Sequence, residues 1–293
     1  MIDYRALKDW SFPIVERTYT ADDSMLYALA VGVGADPLDE RQLEFVNDTV
    51  PGTPRALPTM AAVLGYPGAW MSDRRTGIDY AMVVHGEESI VWHKPLPAAA
   101  TIIARHRITH VVDKGPGRGA LVIFDKELFD NGTREKLATV THTTFCRADG
   151  GFSARDGLTD TAPPPPPKVP QRAPDLVREL GTLPQQALLY RLCGDRNPLH
   201  SEPAAARAAG FDRPILHGLA TFGVAGHALL SSCCDYDPTR FRRLFARFSA
   251  PVLPGETIRV EMYREGAAIA FRARATERDV IVLDYGRAEI QPG

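Results

Sequence analysis

Tyr190-Arg-Leu-Cys-Gly-Asp195-Arg-Asn197-Pro198-Leu199-His200, followed by Gly210-Phe-Asp-Arg-Pro-Ile-Leu-His217-Gly218, sets a carboxylate and an imidazole five residues apart around an Asn-Pro break. Proline disfavours a helical conformation in the residue before it, so a helix ending near Gly194 stops short of Asn197 and leaves Asp195 and His200 on a turn. Ser201 is placed to cap a short helix over 203–209, with Pro203 near its first turn and Gly210 as its stop. The turn is thereby pinned on both sides, and its two reactive side chains can converge on one water. Reference pKa values of about 3.9 and 6.5 allow an ionised Asp195 beside a neutral His200 near neutral pH. Asn197 supplies an amide that can fix the water or a neighbouring side chain.

Downstream, Gly218-Leu-Ala-Thr-Phe-Gly-Val-Ala-Gly-His-Ala-Leu-Leu230 reads as a long apolar helix whose small residues suit close packing against a sheet. Its first turn carries unpaired N–H groups at the positive end of the helix dipole. Gly218 has no side chain to block a ligand, so its N–H is a candidate donor to a carbonyl oxygen that gains negative charge. His217 and His227 are better read as residues satisfied by the structure around them.

Working outward, Thr161-Ala-Pro163-Pro-Pro-Pro-Pro167-Lys-Val-Pro170 is an extended linker, dividing the chain into segments 1–160 and 171–293 around 161–170. Each segment reads as an early helical stretch followed by alternating strands. Expected strands are 79–92, 101–112, 119–130 and 134–147, then 244–248, 257–264, 267–277 and 279–290. Turns at Gly115-Pro-Gly117, Asp130-Asn-Gly132 and Arg264-Glu-Gly266 imply antiparallel pairing.

The segments also share wording, which points to duplication. Pro95-Leu-Pro97 with Thr101-Ile102 parallels Pro251-Val-Leu-Pro254 with Thr257-Ile258, and Leu26-Tyr27-Ala-Leu29 echoes Leu189-Tyr190-Arg-Leu192. With Pro37 set against Pro198, Gly34 stands where Asp195 does and Asp39 where His200 does. One active site per chain is therefore expected, the first copy serving to hold substrate.

The chain has 293 residues, 44% hydrophobic and 24% charged, with a formal net charge of −2. Those values fit a folded protein and give no reason to expect nucleic-acid partners. No apolar run approaches the roughly 20 residues a membrane span requires, and the opening residues lack a signal-peptide apolar region, so a cytoplasmic location is expected. Cys146, Cys193, Cys233 and Cys234 have no paired spacing of a zinc or redox site, and neither a disulfide nor a metal is expected.

The combined pattern, Tyr190-x-Leu192-x-Gly194-Asp195-x-Asn197-Pro198-Leu199-His200 and Ala208-x-Gly210-Phe211-x-x-Pro214-Ile215-Leu216-His217-Gly218, resembles the hydratase 2 motif of the MaoC-like family. The likeness continues through Arg247-Phe248 and Pro251 to Thr257, and more weakly at His85-Gly86-Glu87 and Asp113-Lys114-Gly115. It implies an α+β double hot-dog fold, two antiparallel sheets each wrapping a helix. In the first segment that helix is poorly marked, with Pro58-Thr-Met-Ala-Ala-Val-Leu-Gly65 as its trace. The resemblance implies hydration of a trans-2-enoyl-CoA to a (3R)-3-hydroxyacyl-CoA. Asp195, His200 and Asn197 then act at the water and the Gly218 N–H at the thioester oxygen, with substrate contacts at His85, Gly86, Lys114, Pro198, Leu199 and Phe248. Coenzyme A enters as part of the substrate, no separate cofactor is implied, and a homodimer is expected. Dehydration of carrier-protein thioesters, thioester hydrolysis and non-catalytic acyl binding are the competing readings.

Overall fold

The computed structural model describes residues 1–291. Among the described residues there are ten strands: β1 Val15–Tyr19, β2 Val83–Trp92, β3 Ala100–Asp113, β4 Ala120–Asp130, β5 Lys136–Cys146, β6 Leu176–Gly181, β7 Phe241–Phe248, β8 Thr257–Glu265, β9 Ala268–Ala275 and β10 Val280–Ile290. The eight expected strands are all there, with residues 80–82 forming a 3-10 turn ahead of β2 rather than extending it. The edge strands β1 and β6 were not anticipated. Both are short, and their polar stretches carry no clear alternation of the kind that marks a half-buried strand.

The helices are α1 Tyr4–Lys8, α2 Ala21–Ala30, α3 Glu40–Leu43, α4 Gln186–Tyr190, α5 Pro203–Ala208 and α6 Gly218–Cys233. Helix α2 begins at a capping box: Thr20 accepts from the Asp23 N–H while the Asp23 carboxylate accepts from the Thr20 N–H. Ser201 does not cap α5, whose N-cap is Glu202 without a side-chain bond. Instead, the Ser201 N–H donates to Pro198 O and closes the preceding 3-10 turn.

The strands run β1-β3-β4-β5-β2-β7-β10-β9-β8-β6 in one antiparallel sheet, so the two expected sheets are a single ten-stranded surface. The seam is the β2–β7 pairing, which sets Glu87 opposite Arg247 and Ile90 opposite Leu244. At that seam the Arg247 guanidinium contacts the Glu87 carboxylate at 2.6 Å and lies over the Tyr285 ring. Edge pairing satisfies the backbone groups that two separate sheets would leave exposed on β2 and β7.

Helix α6 lies along the second half's concave face, buried from Ala220 to Leu230. Its small residues do not mainly serve the sheet. A Cβ on Gly223 would fall 2.6 Å from Val31 Cγ1, and one on Gly226 would fall 2.5 Å from Thr59 Cγ2, so the helix is grooved to accept the first half. The main core spans both halves, running from Tyr27 and Ala61 through Tyr190 and Phe222 to Leu244 and Phe271. In the first half the corresponding helix is reduced to a buried 3-10 segment, Pro58–Ala62. Residues 57–72 hold no α-helix, but the space is partly filled, with Trp70 packed edge-on to Phe124 and Phe12 against both.

The linker 161–170 carries no helix or strand, and its Val169 is buried against Tyr263 and Ala270. Cys146, Cys193, Cys233 and Cys234 are free thiols. Among the described residues no helix is long and apolar enough to cross a membrane.

Candidate active site

The motif folds as its Pro and Gly residues direct. Helix α4 tightens into a 3-10 turn over Arg191–Cys193 and ends at Gly194, whose φ of 139° is a conformation that L side chains rarely adopt. Asn197 leaves the helical region at φ −55°, ψ 123°, and Pro198–His200 forms a further 3-10 turn. Asp195 Oδ1 accepts the Asn197 N–H at 3.1 Å, which orients the carboxylate. Asn197 commits Oδ1 to the backbone, accepting from the Leu199 N–H at 3.0 Å, so its carbonyl shapes the turn.

His200 is buried, and its Nδ1 lies 2.9 Å from Ile215 O. A carbonyl only accepts, so Nδ1 carries the hydrogen and Nε2 keeps its lone pair. Burial pulls the His200 pKa below its ordinary value, the Ile215 carbonyl and Asp195 opposing only in part. The ring is therefore neutral and basic at Nε2.

His217, expected to be structural, stacks on His200 with ring centroids 3.8 Å apart and sends its Nε2–H to Asp195 O at 3.2 Å. It thus backs one reactive side chain and pins the backbone of the other. Its spacing from Asp195 gave no hint of this, because the contact closes only when the α6 entrance folds back onto the motif. Burial and the neighbouring His200 bring His217 to about 4, so it too is neutral. Ligand atoms of Asp195, His200 and His217 all lie within 4.8 Å of one another. His227 is remote from this group, buried near Tyr236, in keeping with a structural role.

Gly218 opens α6, and its N–H meets no acceptor among the described residues. The Phe248 ring covers it: a Cβ at Gly218 would sit 3.2 Å from Phe248 Cδ1 and Cε1. His85 packs against Phe248 at 4.7 Å between ring centroids. Gly86 occupies the β2 bulge, where a Cβ would come 3.2 Å from Thr143 O. Lys114 is exposed, with Nζ 4.8 Å above the Phe145 ring centroid. Leu199 is half-buried and Pro198 exposed on the motif turn. The fold thus brings residues from both halves to one end of the β2–β7 seam.

Sequence reasoning did not single out Tyr66 and Tyr80. Burial and the Asp195 charge both raise them, Tyr66 to about 12, which places two neutral phenols in the field of the Asp195 carboxylate. Also unforeseen was a charged group beneath His85: Glu88 is fully buried, with Oε2 2.6 Å from His142 Nδ1 and 3.0 Å from His85 Nε2. Its place on the inner face of β2 was the only signal.

The corresponding stretches of the first half carry different groups. Leu57 (φ −70°, ψ 133°) leads into Pro58 as His217 (φ −57°, ψ 136°) leads into Gly218. Proline has no N–H, so the donor is absent from that position. Asp39 caps α3 and binds Arg41, and Gly34 donates its N–H to Gln42. Trp92, in the place of Phe248, lines a cleft of about 130 Å³ with Pro58, Leu96 and Phe241 at the seam's opposite end.

Fold and site together define a double hot-dog protein with an Asp195–His200 pair at the mouth of α6. The chain belongs to the MaoC-like, hydratase 2 family: residues 166–285 match the MaoC like domain and residues 18–148 the MFE-2 hydratase 2 N-terminal domain. An enoyl-CoA hydratase of Mycobacterium tuberculosis is 37% identical over 94% of this chain and 93% of its own length. The peroxisomal enoyl-CoA hydratase 2 of Arabidopsis thaliana is 36% identical over 92% and 90%. Among solved structures, a MaoC-like dehydratase from Phytophthora capsici superposes with a TM-score of 0.85 at 30% identity, covering 100% of both chains. The full-length multifunctional enzyme type 2 of Drosophila melanogaster matches at a TM-score of 0.79 and 30% identity, over 95% of this chain and 48% of that one.

Proposed function

We propose that this chain catalyses reversible, (R)-specific addition of water to trans-2-enoyl-CoA thioesters. The observation that carries the reading is the approach of Asp195, His200 and His217 to within 4.8 Å at the mouth of α6, where the Gly218 N–H faces the site. The Asp195 carboxylate holds the water and His200 Nε2 accepts its proton as the oxygen bonds to C3. The thioester oxygen gains charge against the Gly218 N–H and the helix dipole. A proton returned to C2 completes the 3-hydroxyacyl product with no separate cofactor. The same path in reverse is dehydration.

The acyl tail runs into the first half, beneath residues 62–82, where a long helix is missing and Tyr66, Tyr80 and Met82 stay 55%, 44% and 39% exposed. The coenzyme A arm passes His85, Gly86 and Phe248, with Lys114 near its phosphates. We place the enzyme in the cytoplasm as a homodimer. Light scattering of the purified protein tests the second point, and the β2–β7 seam already supplies an internal pseudo-dimer.

The deciding experiment is a series of trans-2-enoyl-CoAs from crotonyl upward, including a branched or sterol-derived member, with chiral analysis of the product. The (3R) alcohol is expected. Release of free thiol with the alkene intact would replace hydration by thioester hydrolysis.

A further inference from the structure

Behind the site lies a polar group that the hydration step does not use. Glu88 sits on the inner face of β2 with no exposure, and its Oε2 is approached by His142 Nδ1 at 2.6 Å and His85 Nε2 at 3.0 Å. Lys126 on β4 is equally buried and donates from Nζ to Ala62 O at 2.7 Å. Burial alone would raise the Glu88 pKa, yet His142 and His85 outweigh it and hold the group near 2. A buried carboxylate is expensive unless it is paired, and one that only braced the sheet could be replaced by an apolar residue at little loss. Here one partner, His85, reaches out of the core: its side chain is 29% exposed and packs on Phe248, which covers Gly218.

His85 Nε2 faces two acceptors, Glu88 Oε2 at 3.0 Å and Glu87 O at 3.1 Å. Nε2 must therefore carry the hydrogen, which leaves Nδ1 as the acceptor on the ring's other side. We propose that Glu88 is a positioning residue that fixes the ring plane and tautomer of His85, so that His85 Nδ1 accepts an amide N–H from the pantetheine arm of the acyl thioester. This rests on the acyl-CoA reading above. His142, hydrogen-bonded to the same carboxylate oxygen and stacked on Phe124, keeps Glu88 from turning away.

Glu88→Gln is the informative change, because a neutral amide can turn either its carbonyl or its NH2 towards Nε2, so that only the Glu87 carbonyl still favours the Nε2–H tautomer and the ring is no longer fixed. Loss of one substrate hydrogen bond is worth about tenfold in affinity, so KM for crotonyl-CoA should rise about tenfold with kcat within about twofold. His85→Ala should do the same, and the double variant should be no worse than either single one. The dissociation constant of saturated butyryl-CoA, which needs no turnover, should follow the same pattern. Effects of the two changes that multiply, or a fall in kcat with KM unchanged, would overturn the proposal. Should Glu88→Gln fail to fold, ¹⁵N imidazole shifts of the wild-type protein decide alone: an Nε2–H tautomer at His85 supports it, and an Nδ1–H tautomer refutes it. Wild-type protein that binds butyryl-CoA but leaves crotonyl-CoA intact would instead defeat the hydratase reading.

Discussion

Replacing Gly218 by proline isolates the oxyanion donor, because the local backbone is already suited to it. Position 218 is the first of α6, where proline is tolerated since that N–H has no partner in the helix. The preceding residue must be extended, and His217 is, at φ −57° and ψ 136°. The protein itself makes such junctions, where Leu57 at ψ 133° precedes Pro58 and where Asn197 at ψ 123° precedes Pro198. Helix and fold should survive while one donor to the developing enolate oxygen disappears. Removal of such a donor typically costs about 3 kcal/mol, or about 10²- to 10³-fold in kcat.

The ring also brings a Cβ, which at this position lies 3.2 Å from Phe248 Cδ1 and Cε1, so part of any loss is crowding. Gly218→Ala carries the same Cβ and keeps the N–H, so the ratio between the two variants removes the Cβ crowding and measures the lost donor together with the Cδ that takes its place. Hydration of crotonyl-CoA, followed as loss of enoyl-thioester absorbance, gives kcat, while circular dichroism and thermal melting confirm the fold. A proline variant within about threefold of the alanine variant would show that the Gly218 N–H does not stabilise the transition state.

Asp195→Asn and His200→Gln should each lower kcat by about 10²- to 10⁴-fold with melting temperature little changed, as expected for a removed proton-transfer partner; near-normal turnover in either would remove that residue from the mechanism. Stability should fall as the pH drops from about 6.5 towards 4, since His217 and His227 are both held near 4 in the fold, chiefly by burial, and are protonated first in the unfolded chain. Each contributes at most about 3 kcal/mol across that window, and His227→Gln should flatten the pH dependence of the urea midpoint; an unchanged slope would contradict the buried neutral state. Gly226→Ala should destabilise by about 1–3 kcal/mol despite better helix propensity, because the new Cβ would fall 2.5 Å from Thr59 Cγ2. A stabilised variant in denaturant titration would mean that α6 and the first half are not held in that contact.

The sequence by itself determined what local backbone chemistry controls. Asn197-Pro198 and Gly194 specify a helix stop and a turn, alternation specifies β3, β4 and β8–β10, and a long apolar helix follows from the run after Gly218. The duplicated wording set Gly34 and Asp39 against Asp195 and His200, while the likeness between Leu57–Pro58 and His217–Gly218 emerged only from the backbone angles. What only the tertiary structure decided lies across long sequence separations. Pairing of β2 with β7 made one sheet of two and brought His85 to Phe248. Closure of the α6 entrance onto the motif gave His217 its place under His200. Glu88 became a buried pivot because β5 set His142 opposite it. Strand register and helix packing across the seam are fixed by the summed burial of both halves, and no short stretch of either half carries that information.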